Sequence, residues 1–262
     1  MKSFRERFLV GALLLLITLG VILSRSKVLL LFFMLLLSSL EIYELFACLD
    51  PDNKGRNRII TLVGNAFFQI FAYLRLPELL VAGSVAFFMF LFVLSVVHPY
   101  REFEDLFLTL FVVIYISFFS AFALLFPAKM PNSLLLVICV SWGTDTMAYL
   151  SGYFFGKTPL TAISPKKTRE GAVGGLLGAL ALALLFRPLF FSALTVQQLV
   201  FITAVGSVCS QLGDLFASRL KRKMNIKDFG TLLKAHGGIM DRFDSVQFAL
   251  PAVWLMMRFV MK

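Results

Sequence analysis

Apolar residues in this chain gather in long blocks separated by short polar connections. Nine blocks can be marked, at about 8–23, 28–47, 59–74, 79–97, 106–125, 133–153, 172–186, 199–217 and 246–261. A run of roughly 20 apolar residues is what an α-helix needs to cross the hydrocarbon core of a bilayer. Several blocks are shorter, so their ends are soft and some helices are expected to lie partly in the interface. The pattern predicts an all-α, polytopic membrane helical bundle with about nine transmembrane helices. Asp50–Arg58, with Pro51 and Gly55, and His98-Pro99-Tyr100-Arg101-Glu102 read as solvated connections.

Composition strengthens this picture. Hydrophobic residues make up 59% of the 262, against about 45–50% in soluble domains. Mean hydropathy is +0.87, and the 30 phenylalanines suit lipid-facing and interhelical packing. Lys2, Arg5 and Arg7 before the first block imitate a signal peptide. No small-residue cleavage site follows, whereas further spans do, so this block is expected to be a retained helix. Cys48, Cys139 and Cys209 lack the spacing of a zinc or disulfide framework and read as packing residues.

A net charge of +10 raises nucleic acid as a partner, but the charge distribution argues against it. Most Lys and Arg fall in alternate connections, the arrangement expected from the positive-inside rule with a cytoplasmic N-terminus. The two richest loops, 154–171 and 218–245, then face the same side. Residues 1–132 read as scaffold and 133–262 as the catalytic part of a single membrane domain. Glu41 and Glu44 share a helical face; they suit either a polar lining or an interfacial helix end, and the second reading is preferred.

Acids within apolar blocks carry the candidate chemistry. A charge at a helix centre costs about 2.5–3.5 kcal/mol by insertion scales, and such residues are functional candidates. Asp145 sits in one block, with Tyr149 and Gly152 on its face. Asp214 sits in another, with Ser218 and Lys221 on its face if the helix continues. Asp241 and Asp244 follow, spaced to point into one space. Carboxylates sharing a cavity repel one another unless a cation intervenes, and hard oxygen ligands favour Mg²⁺.

Cations stand beside them. Lys166 and Lys167 lie between the hydroxyls of Ser164 and Thr168, a grouping suited to phosphate oxygens. Lys221, Arg222, Lys227, Lys234 and Arg242 follow downstream, and His236 is placed to bond a phosphate or orient a ligand. Gly230, Gly237 and Gly238 permit close backbone approach. Gly171, Gly174, Gly175 and Gly178 have spacing suited to tight helix packing.

The downstream motif Ser218-x-x-Lys221-Arg222-x4-Lys227-Asp228-x-Gly230, followed by His236-Gly237-Gly238-x-x-Asp241-Arg242-x-Asp244, resembles the signature of phosphatidate cytidylyltransferases, also called CDP-diacylglycerol synthases. The upstream Asp145-Thr146-x-Ala148-Tyr149, Phe155-Gly156-Lys157 and SPKKT-x-EG elements are similar to that family's as well. Two positions depart from it: Lys234-Ala235 stands where Pro-Gly is common, and Arg169 where Trp is frequent.

The resemblance implies the reaction CTP + phosphatidate → CDP-diacylglycerol + pyrophosphate. The chain's size and simplicity point to a bacterial inner membrane, and the charge asymmetry puts the site at its cytoplasmic face. The resemblance also implies Mg²⁺ held by Asp214 and Asp241, with Asp145 and Asp244 as ligands or close neighbours, and a second cation such as K⁺. Lys166, Lys167, Lys221, Arg222 and Arg242 would hold phosphates, with His236 beside them. Ser164, Thr168, Ser218, Lys227, Asp228, Gly237 and Gly238 would bind substrate. The expected partners are CTP, phosphatidate and the bilayer, with no nucleic acid; a homodimer is compatible with the reading. Two rivals predict different products: a CTP-using lipid-alcohol kinase releases CDP, and an ion-coupled transporter turns over no lipid.

Overall fold

A computed structural model describes residues 2–49, 56–75, 77–97, 103–127, 130, 132–233 and 237–260. The architecture is all-helical, and no strand occurs among the described residues. The helices are α1 (Lys2–Leu23), α2 (Lys27–Leu49), α3 (Arg56–Leu74), α4 (Pro77–Val97), α5 (Phe103–Val112), α6 (Phe119–Leu125), α7 (Ser133–Phe155), α8 (Arg169–Phe190), α9 (Val196–Lys223) and α10 (Met240–Val260). A π-helical segment, Val113–Phe118, joins α5 to α6 without a loop. Six helical stretches among the described residues are long and apolar enough to cross a membrane. This is the constitution of an integral membrane protein.

Burial follows the logic of a lipid solvent. Large apolar side chains such as Leu16, Phe32, Val96, Leu185 and Phe259 stay exposed on the outside. Ser38, Gln69, Ser141, Thr144, Thr203 and Ser207 are buried between helices. Two pairs join neighbouring helices: Gln69 Nε2 donates to Ser120 Oγ at 2.6 Å, and Thr144 Oγ1 donates to Ser207 Oγ at 2.8 Å. Hydrogen bonds and close backbone packing between helices replace the hydrophobic drive that lipid removes.

Tight packing is clearest between α7 and α8. A Cβ on Gly175 would lie 2.8 Å from Ala148 Cβ and 2.9 Å from the Thr144 carbonyl oxygen. One on Gly171 would lie 2.9 Å from the Ala148 carbonyl oxygen. The glycine spacing thus sets the contact that the sequence predicts.

Helix ends differ from the apolar block ends. α9 runs to Lys223, carrying Ser218, Lys221 and Arg222 on helix rather than loop, and α10 already includes Asp241, Arg242 and Asp244. The connection expected at 218–245 is therefore shorter in the fold. Hydropathy marks where lipid ends, whereas backbone hydrogen bonding continues into water.

Candidate active site

Three local structures bring the charged residues together. The first is the connection between α7 and α8. Thr168 caps α8 by accepting from the Gly171 N–H at 3.0 Å. Glu170 Oε2 accepts from the N–H groups of Lys157 and Thr158, each at 3.2 Å. Leu160 N–H donates to the Lys167 carbonyl at 2.8 Å, and Thr161 Oγ1 accepts from the N–H groups of Ile163 and Ser164 at 3.2 and 3.3 Å. The loop is thereby folded onto the helix ends, with its lysine pair held at the tip.

That loop closes over a cavity of about 490 Å³ between α7, α8 and α9. Asp145, Tyr149, Ser164, Lys166, Lys167, Thr168, Gln211 and Asp214 are among its lining residues. Lys167 Nζ pairs with Asp214 Oδ2 across it. Asp145 Oδ2 accepts from Ser245 Oγ at 2.8 Å, and Ser245 Oγ lies 2.8 Å from Ser141 Oγ. These bonds tie the acid in α7 to α10.

The second structure is a buried ion cluster centred on Lys221. Its Nζ lies 2.8 Å from Asp241 Oδ1 and 3.8 Å from Asp244 Oδ2. The Phe229 ring centroid is 5.1 Å away. Asp241 Oδ2 accepts from the N–H groups of Phe229 and Gly238 at 2.8 and 2.9 Å. Gly237 makes this turn with φ +77°, a conformation glycine adopts at little cost.

The third structure is a carboxylate inserted from the scaffold. Glu44 in α2 accepts from the N–H groups of Ile239 and Met240 at 3.0 and 2.9 Å, satisfying donors at the start of α10. Cys48 Sγ, one turn later, donates to the Phe229 carbonyl at 3.0 Å. A Cβ on Gly230 or Gly238 would collide with the Glu44 carboxylate. Glu41, fully buried, accepts from Gln247 Nε2 at 2.6 Å.

These contacts correct the expectation that Glu41 and Glu44 form an interfacial helix end. Both are buried and hold α10: Glu44 takes the unpaired backbone donors at its start, and Glu41 takes the Gln247 side-chain amide within it. The signal was present in the sequence: the argument that singles out Asp145, an acid within an apolar block, applies equally to these two.

The structure therefore divides the predicted constellation. Asp145, Ser164, Lys166, Lys167, Thr168 and Asp214 line one cavity. Lys221, Asp241 and Asp244 form the adjoining cluster. Gly213 allows the two to adjoin, since a Cβ there would lie 2.8 Å from the Asp244 carbonyl oxygen. Gly237 and Gly238 shape the turn beside Asp241. Arg222, Lys227, Asp228 and Arg242 are exposed, and Ser218 is half-buried. Lys234 and His236 lie outside the described residues.

The four-carboxylate metal shell is not assembled in this conformation. Among the described residues no three acids, histidines or cysteines converge as metal ligands. Both oxygens of Asp241 are already engaged by Lys221 and two backbone amides. Asp145 and Asp214 do share a cavity. Two carboxylates suffice for Mg²⁺, which commonly takes one or two and fills its remaining positions with water and substrate phosphates.

Fold and site define a helical membrane protein with an acid- and lysine-lined cavity at one end of its bundle. The sequence model of the cytidylyltransferase family matches residues 5–260, and the chain belongs to that family. It is 44% identical over 119 residues to the phosphatidate cytidylyltransferase of Bacillus subtilis (strain 168), covering 45% of this chain and 44% of that protein. Against the phosphatidate cytidylyltransferase of Thermotoga maritima it is 34% identical over 153 residues, 56% of this chain and 57% of the relative. The chain thus spans about half the length of the curated relatives it matches.

Proposed function

We propose that the chain transfers CMP from CTP to phosphatidate, forming CDP-diacylglycerol and releasing pyrophosphate. The observation that carries this reading is the Lys167–Asp214 pair across a cavity also lined by Asp145 and Lys166. That the similar proteins of Bacillus subtilis and Thermotoga maritima are phosphatidate cytidylyltransferases supports the choice of substrates.

Phosphatidate brings its own anionic nucleophile, so the reaction needs no strong general base. One phosphate oxygen attacks the α-phosphorus of CTP; the new P–O bond forms as the bond to the pyrophosphate oxygen breaks. The chain must bring two anions together and offset charge on the leaving group. Lys166 and Lys167 are placed to hold phosphate oxygens. An arriving polyphosphate would take the place of Asp214 as the partner of Lys167, and Asp214 would then face the cavity with Asp145. These two acids would hold Mg²⁺, which when bound polarises phosphoryl oxygens and offsets charge on the departing pyrophosphate. Lys221 keeps the buried acids Asp241 and Asp244 compensated, and so holds the start of α10 against α9.

Counting α5, the π-helical segment and α6 as one, the same reading makes each of the nine helical rods among the described residues a membrane span, with the N-terminus in the cytoplasm and the cavity at the cytoplasmic face of a bacterial inner membrane. A soluble nucleotide and a two-chain lipid would meet there. Purified protein given labelled CTP, phosphatidate and Mg²⁺ is expected to yield lipid-linked CMP and pyrophosphate, and chelation of the metal is expected to stop it. A phosphorylated lipid with free CDP, or no labelled lipid at all, overturns the proposal.

A further inference from the structure

A second cavity, of about 280 Å³, lies where α1, α2, α3, α6 and α7 meet. Its polar lining is Arg25, Ser26, Lys27, Tyr73 and Arg75. No acidic residue lines it, and among the described residues none of its three cations makes an ion pair. Three uncompensated cations around one cavity form a site for an anion.

Two helix ends hold the arginines there. Arg25 and Arg75 each follow the last turn of a helix with φ 55°, their N–H groups donating back to the Ile22 and Ala72 carbonyls at 3.3 and 3.2 Å. This is the left-handed position at which helices commonly end. Arg75 Nη2 donates to the Phe126 carbonyl at 2.5 Å, while its Nε is buried with no hydrogen-bond partner. A phosphate oxygen would supply the missing acceptor.

The cavity is amphipathic. Its apolar wall includes Ile22, Leu30, Ala123 and Leu134, and the same four residues line a crevice of about 40 Å³ behind it, room for a few methylene groups. Cations at one side and an apolar wall at the other match an anionic head joined to the start of an acyl chain.

Position completes the argument. Leu134 lines this cavity and Gly152 lines the catalytic one, and both belong to α7. Along a helix axis their separation is about 27 Å, close to the ~30 Å thickness of a hydrocarbon core. The two cavities therefore serve opposite headgroup layers.

We propose that this cavity binds the phosphate headgroup of an anionic phospholipid in the leaflet opposite the catalytic cavity, with the first carbons of an acyl chain against the apolar wall and the mouth of the crevice. The inference rests on the transmembrane reading of the helices and is independent of the transfer reaction. Inorganic phosphate offers the same oxygens but nothing for the crevice.

Native mass spectrometry on the purified full chain in neutral detergent tests it, with dioctanoyl phosphatidylglycerol, dioctanoyl phosphatidylcholine and inorganic phosphate as parallel probes. Phosphatidylglycerol is expected to bind at least tenfold more tightly than the other two. The Arg25→Gly, Lys27→Gln double variant is expected to weaken that binding at least tenfold without lowering the thermal midpoint, because glycine relaxes the backbone at position 25. Arg75→Gln, an independent variant, is expected to weaken it at least threefold. Each variant is compared in a Lys166→Ala, Lys167→Ala background, which removes lipid bound through the catalytic cavity. Phosphatidylglycerol binding that is absent from that background, or that survives the Arg25 and Lys27 changes within it, overturns the site. Equal competition by inorganic phosphate overturns the lipid assignment. Whether the chain transfers CMP does not enter this readout.

Discussion

Glu44 accepts a hydrogen bond from the Met240 amide at 2.9 Å, across 196 residues of chain. The same carboxylate accepts from Ile239 and presses against the α-carbons of Gly230 and Gly238. A side chain in the N-terminal half thus sets the turn that leads into Asp241 and Asp244. The C-terminal half is built on the N-terminal half, although the recognisable motif lies wholly in the former.

Glu44→Ala is expected to destabilise the protein by about 2–4 kcal/mol, since it leaves two buried amide donors without acceptors. Gly238→Ala is expected to be damaging alone but nearly silent in the Glu44→Ala background, because its new methyl group collides with the Glu44 carboxylate. Thermal unfolding of the two single variants and the double variant measures this coupling. Additive losses would mean that Glu44 does not shape the turn.

Asp241→Asn separates a structural acid from a metal ligand. The amide oxygen can serve Phe229 and Gly238, but its NH₂ then faces the Lys221 ammonium. Loss of that partner leaves a buried cation poorly compensated, at a cost of about 3–5 kcal/mol. The melting midpoint without metal is expected to fall while the Mg²⁺-induced rise in that midpoint survives. An unchanged metal-free midpoint together with loss of the Mg²⁺-induced rise would make Asp241 a ligand.

Asp214→Asn and Asp145→Asn are expected to reduce CMP transfer at least a hundredfold. Each leaves a neutral group of the same shape, so stability should change little beside the loss of activity. The Mg²⁺-induced rise in melting midpoint is expected to shrink in both. Transfer rates and thermal scans on the same preparations test the assignment.

Gly175→Ala forces a methyl group between α7 and α8, where the Thr144 carbonyl cannot move aside without bending its helix. Overpacking of this kind costs about 1–3 kcal/mol. Gly20→Ala, where a Cβ meets nothing within 4 Å, is the matched control and is expected to be neutral or slightly stabilising. Equal effects at the two positions would deny the close α7–α8 approach.

Much of this molecule can be read from its amino-acid order. Long apolar blocks dictate helices, because a bilayer leaves backbone amides few partners outside their own segment. Acids at Asp145 and Asp214 and the lysine pair at Lys166 and Lys167 declare their chemistry by type and neighbourhood alone. The glycines of α8 announce a close neighbour. Which acids share a space is a different kind of question. Spacing places Asp241 and Asp244 near one another, but it does not say that Asp241 spends both oxygens on Lys221 and two loop amides. Nor does it say that Glu44, read as a helix end, is the acceptor for α10. Those outcomes depend on where a returning backbone leaves its unpaired N–H groups, and only packing of distant helices decides that. Arg25 and Lys27 stand two residues apart at the α1–α2 connection while Arg75 follows α3, far off in sequence, and only the packing of α1, α2 and α3 brings all three to one cavity.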